Sequence, residues 1–111
     1  MKKLKEIKEM IDEAQRELDE IDDLYVLFPM SRSIISDRKE ILKNHLEDIR
    51  GSIEALLLYS HCSILSRVCK NFLEEIFKIS ECLRVTYLVP QYSESYYIMD
   101  TIKSVEIRSN H

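Results

Sequence analysis

Turn-forming residues are scarce in this chain, which has one glycine and two prolines in 111 residues. A sheet-containing domain of this length needs many tight turns, and tight turns draw on glycine and proline. Long helices joined by few connections need far fewer. The sequence therefore predicts an all-α helical bundle of about four to five helices with no β-domain. Its length is that of one domain, covering residues 1–111.

The first 28 residues predict a long amphipathic helix. Apolar residues recur at spacings of three and four, which is the pattern of a helix packing lengthwise on a partner. This seam consists of Leu4, Ile7, Ile11, Ala14, Leu18, Ile21 and Tyr25. Pro29 ends the helix, because proline disfavours a helical residue before it.

Charge along this first helix runs against the helix dipole. Lysines crowd its start, and seven carboxylates between Asp12 and Asp23 crowd its end. Dipole interactions favour the reverse order by about 0.3–1 kcal/mol per well-placed charge. Two interpretations remain open: a solvated face that tolerates the cost, or an acidic end that meets a basic surface on a neighbour.

Residues 37–89 predict the central helices. Asp37 to Glu40 has the spacing of a capping box, which places a loop over residues 30–36 and a helix start at Asp37. Gly51 marks either a turn between helices or a kink in one long helix. Leu57, Leu58 and Ile64 belong to a stretch that is apolar nearly all round, which indicates a central helix or a buried helix junction, with its turn near Ser60 to Ser63.

Residues 91–111 predict a tyrosine-rich helix or tail, with Ser93 as the predicted cap. Tyr92, Tyr96 and Tyr97 have large apolar rings with a polar tip, a combination favoured at interfaces. Residues 104–108 could instead be extended. Docking on a partner and partial burial on the chain's own core are both open for these tyrosines.

Composition favours an intracellular protein without a membrane span. The longest uncharged stretch, 55–66, is too short to cross a bilayer, and no secretory signal is apparent. A net charge of −4 argues against a dedicated nucleic-acid binder, so contact with nucleic acid is expected to be indirect at most. Cys62, Cys69 and Cys82 lack paired spacing and are expected to be reduced core thiols.

The sequence predicts no cofactor, no metal site and no catalytic residue. One enzymatic alternative remains open. Arg38 and His45 have the Arg-x6-His spacing of HEPN ribonucleases, which are small helical bundles. Residues seven apart share a helix face, so the two side chains could orient a phosphate and its attacking group. That ribonuclease would need both side chains exposed together at a dimer groove.

Residues 27–90 resemble the helical domain of the first Psf subunit of the GINS complex. The likeness lies in the Pro-containing loop Leu27-Phe-Pro-Met30, in His61-Cys-Ser-Ile-Leu65 followed by Arg67 and Cys69, and in Leu88-Val-Pro90. Members of that family also carry a small β-domain, for which this chain has no room. The resemblance implies a non-catalytic nuclear subunit, with three related subunits and a replicative helicase as partners in DNA replication.

The preferred function is therefore that of a helical scaffold or interaction subunit of a multiprotein complex. A self-associating helical bundle that acts as a regulator or inhibitor is a second alternative. The expected location is the nucleus for a GINS-like subunit and the cytoplasm otherwise. The predicted interface residues are Leu4, Ile7, Ile11, Ala14, Leu18, Leu57, Leu58, Tyr92, Tyr96 and Tyr97.

Overall fold

The computed structural model describes residues 2–28, 30, 32–59, 62–87 and 94–109. These residues form four α-helices: α1 (Lys2–Leu27), α2 (Arg32–Leu58), α3 (Ser63–Thr86) and α4 (Glu94–Ser109). No strand occurs among them. The prediction of an all-α bundle with a long first helix is confirmed.

The seam of α1 is the face that enters the core. Five of its residues are at most 5% exposed: Ile7, Ile11, Ala14, Leu18 and Ile21. Leu4 is half-buried against them, whereas Tyr25 is exposed. The three-four spacing thus identified the buried face over five turns, and it failed only in the last one.

Helix α2 begins five residues earlier than predicted, at Arg32 instead of Asp37. Ile35 explains the difference, because it is 4% exposed and lies seven residues before the core residue Leu42 on the same helical face. Burying this side chain stabilises an added helical turn by about 1.5–3 kcal/mol. Asp37 consequently lies inside the helix with its side chain exposed, where it caps nothing.

Gly51 lies within the continuous helix α2, which excludes a turn at this position. The glycine is exposed, and apart from its chain neighbours and the adjoining helix backbone no atom lies within 4 Å of the place where a Cβ would stand. Core residues continue on one face through it, with Ile49 before the glycine and Ile53 after it. Burial of the apolar face on both sides of Gly51 therefore keeps α2 continuous, despite the lower helix propensity of glycine.

The connection between α2 and α3 lies where the polar cluster predicted it, although Ser60 and His61 are outside the described residues. The expectation of a buried junction is wrong in part. Leu57 and Leu65 are buried, but Leu58 is 67% and Ile64 73% exposed. Each helix at this junction buries only the one stripe of side chains that faces the core, so apolar residues outside the stripe face solvent.

Helix α4 includes residues 104–108, so the extended alternative for this segment is wrong. Its core face consists of Ile98, Ile102 and Val105. Two buried serines support its first turn, since the Ser80 and Ser95 hydroxyls are 2.8 Å apart and Ser80 also donates to the Phe77 carbonyl. Ser93, the predicted cap, lies outside the described residues.

Helices α2 and α3 form a central antiparallel pair on which the two outer helices pack. Helix α1 contacts both of them, and so does α4, but no Cα atom of α1 lies within 8 Å of one of α4. The molecule is elongated, with extents of 51 × 27 × 16 Å. Its long axis separates two ends. The turn-1 end holds the α1–α2 connection and the close of α3, and the turn-2 end holds the α2–α3 connection and the close of α4.

Candidate protein-interaction surfaces

The turn-1 end carries a cluster of exposed apolar side chains within ten residues of chain. Between 52% and 89% of each is exposed to solvent, and the cluster consists of Tyr25, Val26, Leu27, Phe28, Met30 and Ile34. At full burial each such side chain removes roughly 60–120 Å² of apolar area from water, so the cluster offers roughly 250–450 Å². Apolar patches of this size on a monomer are often functional.

Tyr87, at the close of α3, ties this end together. Its ring packs edge-on against Tyr25 with centroids 5.5 Å apart, and its hydroxyl donates a hydrogen bond to Asp22. The Lys39 ammonium lies 4.9 Å from the centre of the same ring. Burial raises the pKa of Asp22 and lowers that of Lys39. Three helices are thereby joined directly beneath the exposed cluster.

The acidic end of α1 meets basic side chains of α2 in the same chain. Glu20 lies 3.5 Å from Arg38, and both carboxylate oxygens of Glu17 lie within 2.8 Å of His45 Nδ1. These contacts compensate in part for the unfavourable order of charge along α1. For Glu17 and Glu20, the basic side chains that the acidic end of α1 meets therefore belong to α2 of the same chain.

The same contacts bear on the ribonuclease residues. Arg38 and His45 both face α1, and each is paired with a carboxylate. About half of each side chain remains exposed. The two residues lie on one helix face, as their spacing predicts. On that face each contacts a carboxylate of α1, Glu20 for Arg38 and Glu17 for His45.

A groove of about 460 Å³ runs between α1 and α2 beside His45. Its floor is apolar, formed by Met10 and Ile49, and its rim is lined by Glu6, Glu9, Glu13 and Asp48. Acidic rims of this kind repel anionic ligands such as RNA phosphates.

The turn-2 end carries a second set of exposed apolar side chains. They lie at or directly beside the ends of three helices and are 61–89% exposed: Leu58, Tyr59, Ile64 and Ile107. Leu58 also lines a groove of about 350 Å³ between α2 and α4, together with Leu57, Tyr97, Val105 and Arg108. The basic residues Arg67, Lys103 and Arg108 surround this end, are exposed, and form no ion pair within the described part of the chain.

A half-buried polar network holds α4 against α2 at the inner edge of this groove. Arg50 donates hydrogen bonds to Glu94 and, at 3.0 Å, to Glu54, which also accepts one of 2.6 Å from Thr101. Burial raises the pKa of Glu94, although Arg50 opposes the shift. Every charged group here has a partner, so the network is a clamp between helices.

Most of the predicted interface residues belong to the chain's own core. Those buried inside are Ile7, Ile11, Ala14, Leu18 and Leu57, and Leu4 is half-buried. Leu58, Tyr96 and Tyr97 are exposed, by 67%, 73% and 52%. Tyr92 lies outside the described residues. The exposed turn-1 cluster was missed, although its signal was present as an apolar run, Tyr25 to Phe28, too long for one helix face to bury.

The cysteines differ from one another. Burial raises the pKa of the Cys69 thiol, which lies in the core as predicted. Cys62 and Cys82 are exposed, so the core prediction is wrong for these two. Backbone amides of Leu65 and Ile64 at the start of α3 lower the pKa of Cys62. In the described residues no three His, Cys, Asp or Glu side chains are placed to hold a metal ion.

Comparisons with protein-family models, with curated proteins and with solved structures found no match to this chain. Within the residues that the structure describes, no helix is both long enough and apolar enough to span a membrane.

Proposed function

We propose that this chain is a non-catalytic helical interaction subunit that binds a partner protein through its turn-1 end. The observation that carries the proposal is the cluster of six exposed apolar side chains between Tyr25 and Ile34. Leaving this surface in water is unfavourable, and a partner that covers it gains the corresponding free energy. The seam of α1 supports the partner surface from within, because it fixes this helix on α2 and α3.

The preorganisation of the turn-1 end supports the same proposal. Tyr87 contacts α1 through Tyr25 and Asp22 and contacts α2 through Lys39. A surface that is already ordered pays little conformational entropy when it binds. Exposed Leu27 and Met30 can then contribute their apolar area directly to the contact.

The specific form of this proposal follows from the resemblance to the GINS complex. In that form the partners are three related helical subunits, with a replicative helicase bound to the assembly, and the location is the nucleus. The chain would then act in helicase activation as one subunit of that assembly. In the general form the partner is another intracellular protein with a complementary apolar surface.

The test is affinity purification of the tagged chain from its native cells, with quantitative mass spectrometry of the retained proteins. The informative variant is Leu27→Gln combined with Met30→Gln, which are 68% and 89% exposed in the free chain. Ile41→Gln is the matched control, since Ile41 is 47% exposed in the middle of α2. All three substituted positions are at least 47% exposed, so the double variant and the control should both fold like the original chain.

A true partner should be recovered about tenfold less with the double variant and at an unchanged level with the control. Equal recovery of every protein with both variants would refute binding through the turn-1 end. Recovery of three small helical proteins in equal amounts, with a helicase at lower yield, would support the GINS form. Partners without any relation to replication would leave only the general form.

A further inference from the structure

The two ends of this molecule complement each other in charge. Four carboxylates lie on the last turns of α1 beside the turn-1 cluster, and Asp23 has no ion pair within the described residues. At the turn-2 end Arg67, Lys103 and Arg108 are likewise without a carboxylate partner. Side chains of the opposite sign are also present, Arg32 and Lys39 at the turn-1 end and Asp100 in the turn-2 groove, so the two ends complement each other in net charge.

The charges lie where they would border a contact. Asp22 and Asp23 are four residues before the exposed Val26 and Leu27, which places acid and apolar side chains on common helix faces. Lys103 is four residues before Ile107, and Arg67 three after Ile64. Both ends thus have an apolar centre beside a charged rim, the arrangement found in protein interfaces.

We propose that the chain self-associates head to tail, with the turn-1 end of one copy bound to the turn-2 end of the next. This inference rests on the proposed function, since it uses the turn-1 end as a binding surface, and it names a second copy as an occupant. The acidic rim of α1 then faces Arg67, Lys103 and Arg108, and the two apolar sets cover each other. Pairing two turn-2 ends would instead oppose like charges, which is unfavourable.

The area available sets the strength and form of the assembly. The six side chains at one end and four at the other offer together roughly 400–800 Å² of apolar surface. An interface of this size belongs to the small and reversible class. Because the two ends lie at opposite poles of an elongated molecule, the contact does not close and copies add in a row.

A row of copies always keeps one free turn-1 end and one free turn-2 end. A different protein can therefore still bind at the free turn-1 end, and self-association does not exclude the partner proposed above. The concentration of the chain then determines the average number of copies in each row.

Sedimentation velocity of the purified chain tests the proposal directly. From low micromolar to near-millimolar concentration, the weight-average mass should rise continuously past that of a dimer. Raising the salt concentration should weaken this association, because the charged rims are exposed. A monomer at every concentration would overturn the proposal.

Two variants, each with one altered end, provide the decisive experiment. Leu27→Gln with Met30→Gln alters the turn-1 end, and Tyr59→Gln with Ile64→Gln alters the turn-2 end. Each variant alone should be monomeric, and an equimolar mixture should form a complex of two chains and no larger species, since one intact end of each kind remains. The Ile41→Gln control should associate like the original chain.

The alternatives give different results in the same experiment. A symmetric turn-1 to turn-1 dimer would persist in the turn-2 variant alone and would overturn the head-to-tail arrangement. Circular dichroism must show equal helicity for all variants before the masses are compared. If the chain is monomeric but loses cellular partners on Leu27→Gln with Met30→Gln, only the self-association fails and the proposed function stands.

Discussion

Glu94 is the buried carboxylate whose surroundings have the clearest energetic consequence. It is 5% exposed at the start of α4, where the helix dipole and Arg50 both favour its charged form. Burial outweighs these effects and raises its pKa above the ordinary value of 4.5. A residue can thus make a good ion pair and still bind protons more readily in the folded chain than in the unfolded one.

The stability contributed by Glu94 should therefore depend on pH in a definite direction. A raised folded-state pKa gives a contribution that is fully present below about pH 4.5 and is lost as pH rises through the folded pKa. Glu94→Gln removes this dependence. Urea unfolding between about pH 4 and pH 8 should show the original chain losing stability relative to the variant as pH rises.

Glu81 provides a control of opposite sign. Its hydrogen bonds from Arg84 lower its pKa, so its contribution is present above the ordinary value of 4.5 and is lost as pH falls. Relative to Glu81→Gln, the original chain should gain stability with rising pH over the acidic range. If the original chain also gained stability with rising pH relative to Glu94→Gln, the direction assigned to the Glu94 pKa would be wrong.

His45 distinguishes the interaction subunit from the ribonuclease at the level of one side chain. Its Nδ1 atom faces Glu17, and 46% of the side chain is exposed. The imidazole is half exposed although the Glu17 side chain is only 16% exposed, so the pair contributes on the order of 1 kcal/mol and His45→Ala should still fold. We expect the purified chain not to cleave RNA and the variant to behave identically. Cleavage that disappears in His45→Ala would replace the proposed function.

At the scale of the helix, the apolar period proved a better guide than local end signals. The seam of α1 was predictable because five buried residues repeat at three and four, whereas the start of α2 was not. Asp37 and Glu40 have the spacing of a cap, but Ile35 lies on the core face ahead of them and extends the helix. A cap motif is a local preference of about 1 kcal/mol, and tertiary burial exceeds it.

Contacts between helices could not be predicted from the sequence, for a related reason. The pairs Glu17–His45 and Asp22–Tyr87 are separated by 28 and 65 residues. Their formation depends on how α1 lies against α2 and α3, which no short-range spacing encodes. The exposed run at the turn-1 end was visible in the sequence, but whether a second helix would cover it depended on the same packing.

Gly51 gives a prediction for α2 as a continuous helix. A Cβ at this position would meet nothing within 4 Å beyond its chain neighbours and the adjoining helix backbone, so Gly51→Ala adds helix propensity without a clash. We expect it to stabilise the chain by about 0.5–1 kcal/mol. Thermal and urea unfolding should both show the increase.

The reverse exchange four residues later is the matched control. Ala55 is exposed on the same helix, and Ala55→Gly should destabilise the chain by about 1 kcal/mol. Combining the two exchanges should restore nearly the original stability. A destabilising Gly51→Ala would mean that this part of α2 is not helical.

For the molecule as a whole, the separation of α1 from α4 has thermodynamic consequences. Both outer helices pack on the α2–α3 pair, yet they do not contact each other. Their contributions to stability therefore reach each other only through the central pair. Sites further apart than about 7–10 Å without shared partners usually add within about 0.5 kcal/mol.

Ile11 in α1 and Ile102 in α4 test this independence. They are 3% and 5% exposed, so Ile→Val should cost about 0.5–1.5 kcal/mol at each. The double variant should lose the sum within about 0.5 kcal/mol. Leu57→Ala with Val105→Ala is the contrasting pair, since both residues line one groove and their effects need not add. Strong coupling between Ile11 and Ile102 would instead show that α2 and α3 transmit packing changes across the molecule, so that a partner bound at the turn-1 end would alter the hold on α4.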